Sequence, residues 1–223
     1  MSQEDTELAE IRASIEYLSG GGKKLAPGAR YNGIYGTMTL PGLDDMVAVR
    51  DTRQRFADFG VPEDLWGKTW IDVGSNVGAC ALEAARRGAA TVGVEYRQDR
   101  VDLCNRIASS PRWRIGASRF FQADLNNLSA TPNTWRTPTY DYVWSTAVDN
   151  YLDDRDAYYR LLKSLLSPDS GVLYYECNVR RGGATEAEAR GWLGEAGFEQ
   201  EKIKFLGTGS CPFLKRKIYE VRP

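Results

Sequence analysis

The sequence contains no histidine. That absence excludes His-ligated metal sites, Ser-His-Asp triads and imidazole general bases. Cysteine is sparse: Cys80, Cys104, Cys177 and Cys211 are the only four. None stand at Cys-x-x-Cys spacing, so a zinc ribbon or thioredoxin-like motif is not supported. Their wide, irregular spacing fits reduced intracellular thiols better than a disulfide framework. No apolar run approaches the ~18 residues of a membrane span. The acidic opening MSQEDTELAE has no apolar signal core. An excess of one charge sign is also missing, with 29 Lys plus Arg against 30 Asp plus Glu and a net charge of −1. The chain therefore lacks the global field of a non-specific nucleic-acid binder. The expectation is a soluble, cytoplasmic protein with no membrane partner.

What is present is ordinary globular composition, 42% hydrophobic and 26% charged over 223 residues, enough for a substantial core. Leu8, Ile11, Ile15 and Leu18 recur three or four apart, one apolar stripe on a short helix over 5–18 that ends at Gly20-Gly21-Gly22. The stripe suits a helix docked on the surface, a lid, or an arm for a homodimer. Residues 25–43 read as irregular, and a second helix is predicted over 44–59, ending at Gly60 before Pro62. From residue 67 short apolar runs alternate with helical stretches: KTWIDVG, ATVGVEY, SRFFQAD, TYDYVWST and GVLYYECN as strands, EKIKFLG and KRKIYEVRP as a closing pair. Continuous apolar strands between helices imply a parallel sheet covered on both faces. The predicted fold class is α/β: a doubly wound, mostly parallel seven-stranded sheet with an antiparallel edge strand. A helical cap over residues 1–66 would precede a core over 67–223.

The strongest local signal is Asp72-Val73-Gly74-Ser75-Asn76-Val77-Gly78, between a strand and a helix. In an open α/β sheet the ligand crevice lies beyond the carboxyl ends of the strands. Gly74 and Gly78 permit a tight turn and close approach of backbone to ligand. The Gly-x-Gly-x-x-Gly dinucleotide spacing is not met. Asp72 would oppose a pyrophosphate but suit a cationic ligand. Glu95 ends the next strand, where a carboxylate can accept hydrogen bonds from ribose hydroxyls. Asp124 follows the third strand, so three acids at three consecutive strand ends converge on one crevice.

On these residues the chain, over roughly 66–223, resembles a class I S-adenosylmethionine (SAM)-dependent methyltransferase. The resemblance implies SAM as cofactor and S-adenosylhomocysteine (SAH) as product. It implies that Asp72, Gly74, Asn76 and Gly78 form the loop around the methionine part, Asn76 replacing the usual glycine. Asn tolerates the left-handed backbone better than most residues. It further implies Glu95 at the ribose and Asp124 at the adenine, with Tyr96 packed on the adenine face.

In that family the segment after the fourth strand faces the transferred methyl, here Trp144-Ser145-Thr146-Ala147-Val148-Asp149-Asn150-Tyr151. It is not the Asn/Asp-Pro-Pro-Tyr/Phe signature of enzymes acting on exocyclic amines, and it holds no Pro-Cys pair. Asp149 and Tyr151 are the catalytic candidates. Asp149-Asn150 resembles the pair of metal-dependent O-methyltransferases, but the other acids do not complete that site, so no metal is expected. Tyr31, Arg50, Arg53 and Ser145 are the substrate-binding candidates; Arg50 and Arg53, three apart, would share a helix face and grip a carboxylate or phosphate. Tyr35, Arg55, Glu176 and Cys177 are further residues near the pocket. The reaction expected is methyl transfer to an O or N atom of a small molecule, by orientation with a carboxylate as the candidate base. The alternatives are an RNA (tRNA-type) methyltransferase and a non-catalytic interaction protein. The 21 arginines against 8 lysines, clustered at Arg112/Arg114/Arg119 and Lys215/Arg216/Lys217, speak for RNA.

Overall fold

The computed structural model describes residues 2–20, 34–46, 48–128, 133–136, 138–178, 184–210 and 216–223. In chain order the elements are α1 (Gln3–Gly20), β1 (Ile34–Gly36), β2 (Ala48–Arg50), α2 (Thr52–Asp58), β3 (Thr69–Val73), α3 (Ala79–Arg86), β4 (Ala90–Glu95), α4 (Gln98–Ser109), β5 (Ser118–Gln122), β6 (Tyr142–Thr146), α5 (Arg155–Leu165), β7 (Val172–Glu176), α6 (Glu186–Glu195), β8 (Ile203–Thr208) and β9 (Lys217–Val221). Seven strands form one sheet in the order β5-β4-β3-β6-β7-β9-β8. Strands β3 to β7 pair in parallel, and β9 runs antiparallel to both β7 and β8. The chain winds outward from β3 through β4 to β5, then returns to β6 on the other side. That reversal opens a crevice at the carboxyl ends of β3 and β6.

The period-two alternation of strand side chains sets the two faces. Ile71, Val73, Val143, Leu173, Tyr175, Tyr219 and Val221 join Tyr158, Leu162 and Leu165 of α5 in one core. The opposite residues, Trp70, Trp144, Tyr174 and Ile218, pack with Phe56, Phe59, Val61 and Leu65. Trp144 lies 5.1 Å from the Phe56 ring and 4.6 Å from Phe59, so α2 and its tail seal this face with aromatic stacking.

The stripe of the first helix is buried: Ile11 and Ile15 are in a core with Leu103 and Ile107 of α4. Arg12–Asp45 and Arg106–Glu10 ion pairs tie its flanks. The face that suited a surface dock, lid or dimer arm is thus covered within the chain. The predicted second helix is corrected. Residues 44–46 form a turn, 48–50 are extended and pair in parallel with β1, and the helix begins only at Thr52. Asp51 is its N-cap, accepting a hydrogen bond from the Gln54 backbone N–H at 3.1 Å. A cap residue has extended backbone and cannot lie inside a helix. Among the described residues no helix is long and apolar enough to cross a membrane.

Candidate functional site

The loop after β3 turns on three left-handed residues, Gly74, Asn76 and Gly78, with φ of 82°, 54° and 81°. The N–H groups of Gly74 and Ser75 donate to the Val94 carbonyl at 2.8 and 2.9 Å, fastening the loop to β4. A Cβ at Gly74 would stand 2.6 Å from Val148 Cγ2, so glycine is required there by conformation and by space. Asn76 donates its backbone N–H to Glu95 Oε2 at 3.0 Å, and its Oδ1 accepts from Val77 N–H at 2.8 Å. The side chain substitutes local hydrogen bonds for the glycine's freedom.

A cleft of about 670 Å³ lies over this loop. Its walls include Gly74, Asn76, Glu95, Tyr96 and Asp124 from the ends of β3, β4 and β5. Thr146, Ala147, Val148 and Tyr151 after β6, Asn178 after β7, Tyr35 and Arg216 complete it. Six of the predicted site residues therefore share one cavity: Gly74, Asn76, Glu95, Tyr96, Asp124 and Tyr151. Glu95 is nearly buried, and Arg100 Nη1 sits 3.3 Å from its Oε1. Asp124 Oδ1 accepts from Asn126 N–H at 2.9 Å. Asn126 in turn donates to the Tyr151 carbonyl at 3.0 Å, joining the two rims. Tyr96 and Tyr151 are 65% and 73% exposed, which leaves both rings free to cover a ligand. Ala147 holds a φ of 65°, a strained conformation of the kind that collects at binding sites.

Asp72 does not line the main cleft. It lies in a small adjoining chamber with Arg55, Ser75, Cys80 and Thr146. Burial pushes its carboxyl up to about 7, against the pull of Arg55. Gly78 occupies the N-cap position of α3 and also stands outside the cleft lining.

Three expected roles are overturned by where the side chains go. Asp149 is 1% exposed and turned into the α5 face. Its Oδ2 accepts from the Tyr175 and Tyr159 hydroxyls, and its Oδ1 is buried without a partner. Burial pushes its carboxyl up despite those hydrogen bonds. Its carboxylate faces the Tyr159 and Tyr175 hydroxyls, and the residue is not among those that line the cleft. Ser145 is fully buried against Tyr158, 2.7 Å between hydroxyls. Strand parity explains this, because in β6 only the neighbouring Thr146 reaches the cleft. Arg50 ends β2, not a helix, and Arg53 is exposed on α2, so the shared helix face does not exist. Tyr31 lies outside the described residues.

Arg50 is committed instead to Glu176, bidentately, at 2.7 and 3.1 Å. Glu176 also receives Arg216 at 2.9 Å and Arg55 at 3.6 Å. All four residues are buried. Burial opposes ionisation of Glu176, but Arg55, Arg50 and Arg216 overcome it and hold the carboxyl down at about 2. The Arg50 guanidinium lies 5.1 Å over the Tyr35 ring. Of the Lys215/Arg216/Lys217 run, Arg216 is buried and Lys217 donates to the Ala184 carbonyl; Lys215 lies outside the described residues. Cys177 is buried. Among the described residues no group of three or more Cys, Asp or Glu side chains could hold a metal ion.

Sequence reasoning missed Arg100, Asn126, Thr146, Asn178 and Arg216 at the cleft. The signal for Thr146 was strand parity. For Arg216 it was the reversed direction of β9, which brings that strand's first residues to the ligand edge.

Residues 71–174 match the family model described as Methyltransferase domain. Among solved structures, the magnesium protoporphyrin IX methyltransferase of Synechocystis PCC 6803, crystallised with bound SAM, is similar with a TM-score of 0.58 at 24% identity, over 77% of this chain and 80% of that one. EvdMO1 is similar over 100% of this chain and 48% of that one, with a TM-score of 0.59 at 16% identity. A putative methyltransferase of Haloferax volcanii, in complex with the Trm112 methyltransferase activator, matches over 77% and 91%, with a TM-score of 0.55 at 14% identity. No curated protein matches the chain by sequence.

Proposed function

From the methyltransferase-domain match over residues 71–174 and the fold shared with SAM-bound methyltransferases, we propose that this chain is a class I SAM-dependent methyltransferase that transfers the methyl group of SAM to an O or N atom of a small-molecule acceptor. The observation that carries the reading is the row of Glu95, Tyr96 and Asp124 lining one cleft beside the glycine loop. The donor set fits the cofactor: Glu95 for ribose hydroxyls, Asp124 for the adenine side, Tyr96 for its ring face. Asp72 in the chamber beside Gly74 suits a positively charged ligand. When bound, SAM supplies a methyl group on a sulfonium, which departs as a neutral thioether.

The chain's own contribution is to bind, orient and exclude water. Orientation alone is worth about 7–11 kcal/mol. With Asp149 withdrawn, the acceptor half of the cleft offers Tyr151, Thr146 and Asn178 as polar groups and no carboxylate base. That favours an acceptor that needs little help to lose a proton. The described part of residues 1–66 brings Tyr35 to the cleft wall, in keeping with a cover over the core of 67–223. The small-molecule reading over the RNA one rests on Arg216 being buried at the cleft instead of forming a basic surface, while Arg112, Arg114 and Arg119 are exposed. Incubation with SAM and either a small-molecule acceptor panel or structured RNA tests it, with SAH formation as readout. SAH is expected with a member of the panel; turnover only with RNA would overturn the small-molecule assignment.

A further inference from the structure

We propose that the acceptor end of the cleft is an oxyanion subsite, in which Arg216 grips a carboxylate or phosphate group carried by the methyl acceptor. This rests on the methyl-transfer reading and adds the substrate class to it.

Placement is the first argument. Because β9 is antiparallel, its start lies beside the carboxyl end of β7, with Ile218 paired to Glu176. Arg216 therefore reaches the ligand edge and lines the cleft with Tyr35, Thr146 and Asn178. Glu95 and Asp124 belong to the ends of β4 and β5. Strands β3, β6 and β7 separate them from β9. The acid row and Arg216 thus occupy opposite ends of one cavity.

Charge is the second. Three guanidinium groups, of Arg50, Arg55 and Arg216, converge on the single carboxylate of Glu176. Asp72 is the one further acid acting on the group, through Arg55. Even with Asp72 ionised, a buried positive charge remains, and buried charge is costly unless paired.

Donor geometry is the third. Arg216 is 8% exposed. Both of its hydrogen bonds leave from Nη1, to the Tyr35 hydroxyl at 3.1 Å and to Glu176 Oε1 at 2.9 Å. Its Nε is buried without a partner, and among the described residues its hydrogen bonds use Nη1 and not Nη2. The Nε–Nη2 edge is one of the two a guanidinium offers to a bidentate oxyanion, beside the Nη1–Nη2 edge with which Arg50 holds Glu176. The same molecule shows the Nε–Nη2 grip where Arg86 holds Glu83 at 2.7 and 2.8 Å.

The test is a calorimetric titration of benzoate, its neutral isostere benzamide, and inorganic phosphate. Each is added to the protein alone and saturated with SAH, using wild type, Arg216→Gln and Arg216→Lys. Thermal melting confirms that each variant is folded, and the Lys variant keeps the charge that Glu176 needs. Benzoate or phosphate is expected to bind at least tenfold tighter than benzamide, and whichever binds tighter assigns the oxyanion class. Arg216→Gln is expected to lose tenfold or more of that affinity, Arg216→Lys less, with SAH affinity within twofold in all three. Equal affinity of benzoate, phosphate and benzamide would overturn the subsite. So would a loss of SAH affinity in Arg216→Gln, which would assign the guanidinium to the donor's own carboxylate. If SAH fails to bind wild type, the methyl-transfer reading falls, and the titrations on protein alone still decide whether Arg216 binds an oxyanion.

Discussion

Individual side chains divide the site into groups that line the cleft and groups that hold its wall. Glu95 both lines the cleft and fixes the loop through Asn76 N–H. Glu95→Ala should weaken SAH binding at least tenfold, since a hydrogen bond to a charged acceptor is worth about 1.5–3 kcal/mol; unchanged affinity in calorimetry would remove Glu95 from the site. Asp149 belongs to the wall. Asp149→Ala should take away the acceptor shared by the Tyr159 and Tyr175 hydroxyls, leaving them only each other at 3.0 Å, and cost about 1–3 kcal/mol in denaturant unfolding. Turnover per folded molecule should be largely kept. A folded variant without turnover would restore Asp149 as catalytic. Asp72, at about 7 in the free protein, ties SAM binding to pH. A cation favours its ionised form, so SAM affinity should fall as pH drops from 8 to 6, by up to about tenfold per unit. A flat profile would contradict the placement of positive charge beside Asp72. The placement of Glu95 and Asp124 at the cleft was legible because position at the end of a parallel strand decides it; Asp72 stands in the adjoining chamber instead. The placements of Asp149 and Ser145 were not legible, because one residue of strand or turn parity decides which face a side chain meets.

At the level of elements, the glycine loop makes the sharpest expectation. Gly74→Ala forces a Cβ onto Val148 Cγ2 at 2.6 Å and into a left-handed backbone. It should cost about 1–3 kcal/mol of stability and reduce SAH affinity. A variant as stable as wild type would mean the loop has room that its geometry denies. The strands and helices of the core read plainly from alternating apolar runs and their turn residues. The stretch 44–51 did not. Its short apolar run fits one helical turn as well as a three-residue strand, and the pairing of Gly36 with Arg50 depends on a partner fourteen residues away in sequence. Asp51 as N-cap was the local sign that the helix starts late.

On the scale of the whole molecule, the Arg50–Glu176–Arg216 and Arg55 cluster ties the N-terminal segment, β7 and β9 to one carboxylate. Glu176 is ionised in the folded protein far below its ordinary range. Its contribution to stability is therefore present above pH ~4.5 and is lost as pH falls toward 2. Asp72 acts in the opposite sense, favouring the fold below about pH 4 and losing that contribution as pH rises through 7. Glu176→Gln should cost about 3–5 kcal/mol, because it leaves buried guanidinium groups uncompensated. A small effect in chemical denaturation would show that the cluster is hydrated. The cleft as a whole is proposed to take SAM. The most direct measurement is calorimetric titration of the purified protein with SAM and SAH, with NADH as the control. The account predicts micromolar binding of both sulfur ligands, about −8 kcal/mol, and none of NADH. A folded protein that binds neither SAM nor SAH would contradict it, and the methyltransferase fold would then serve an interaction and not a reaction.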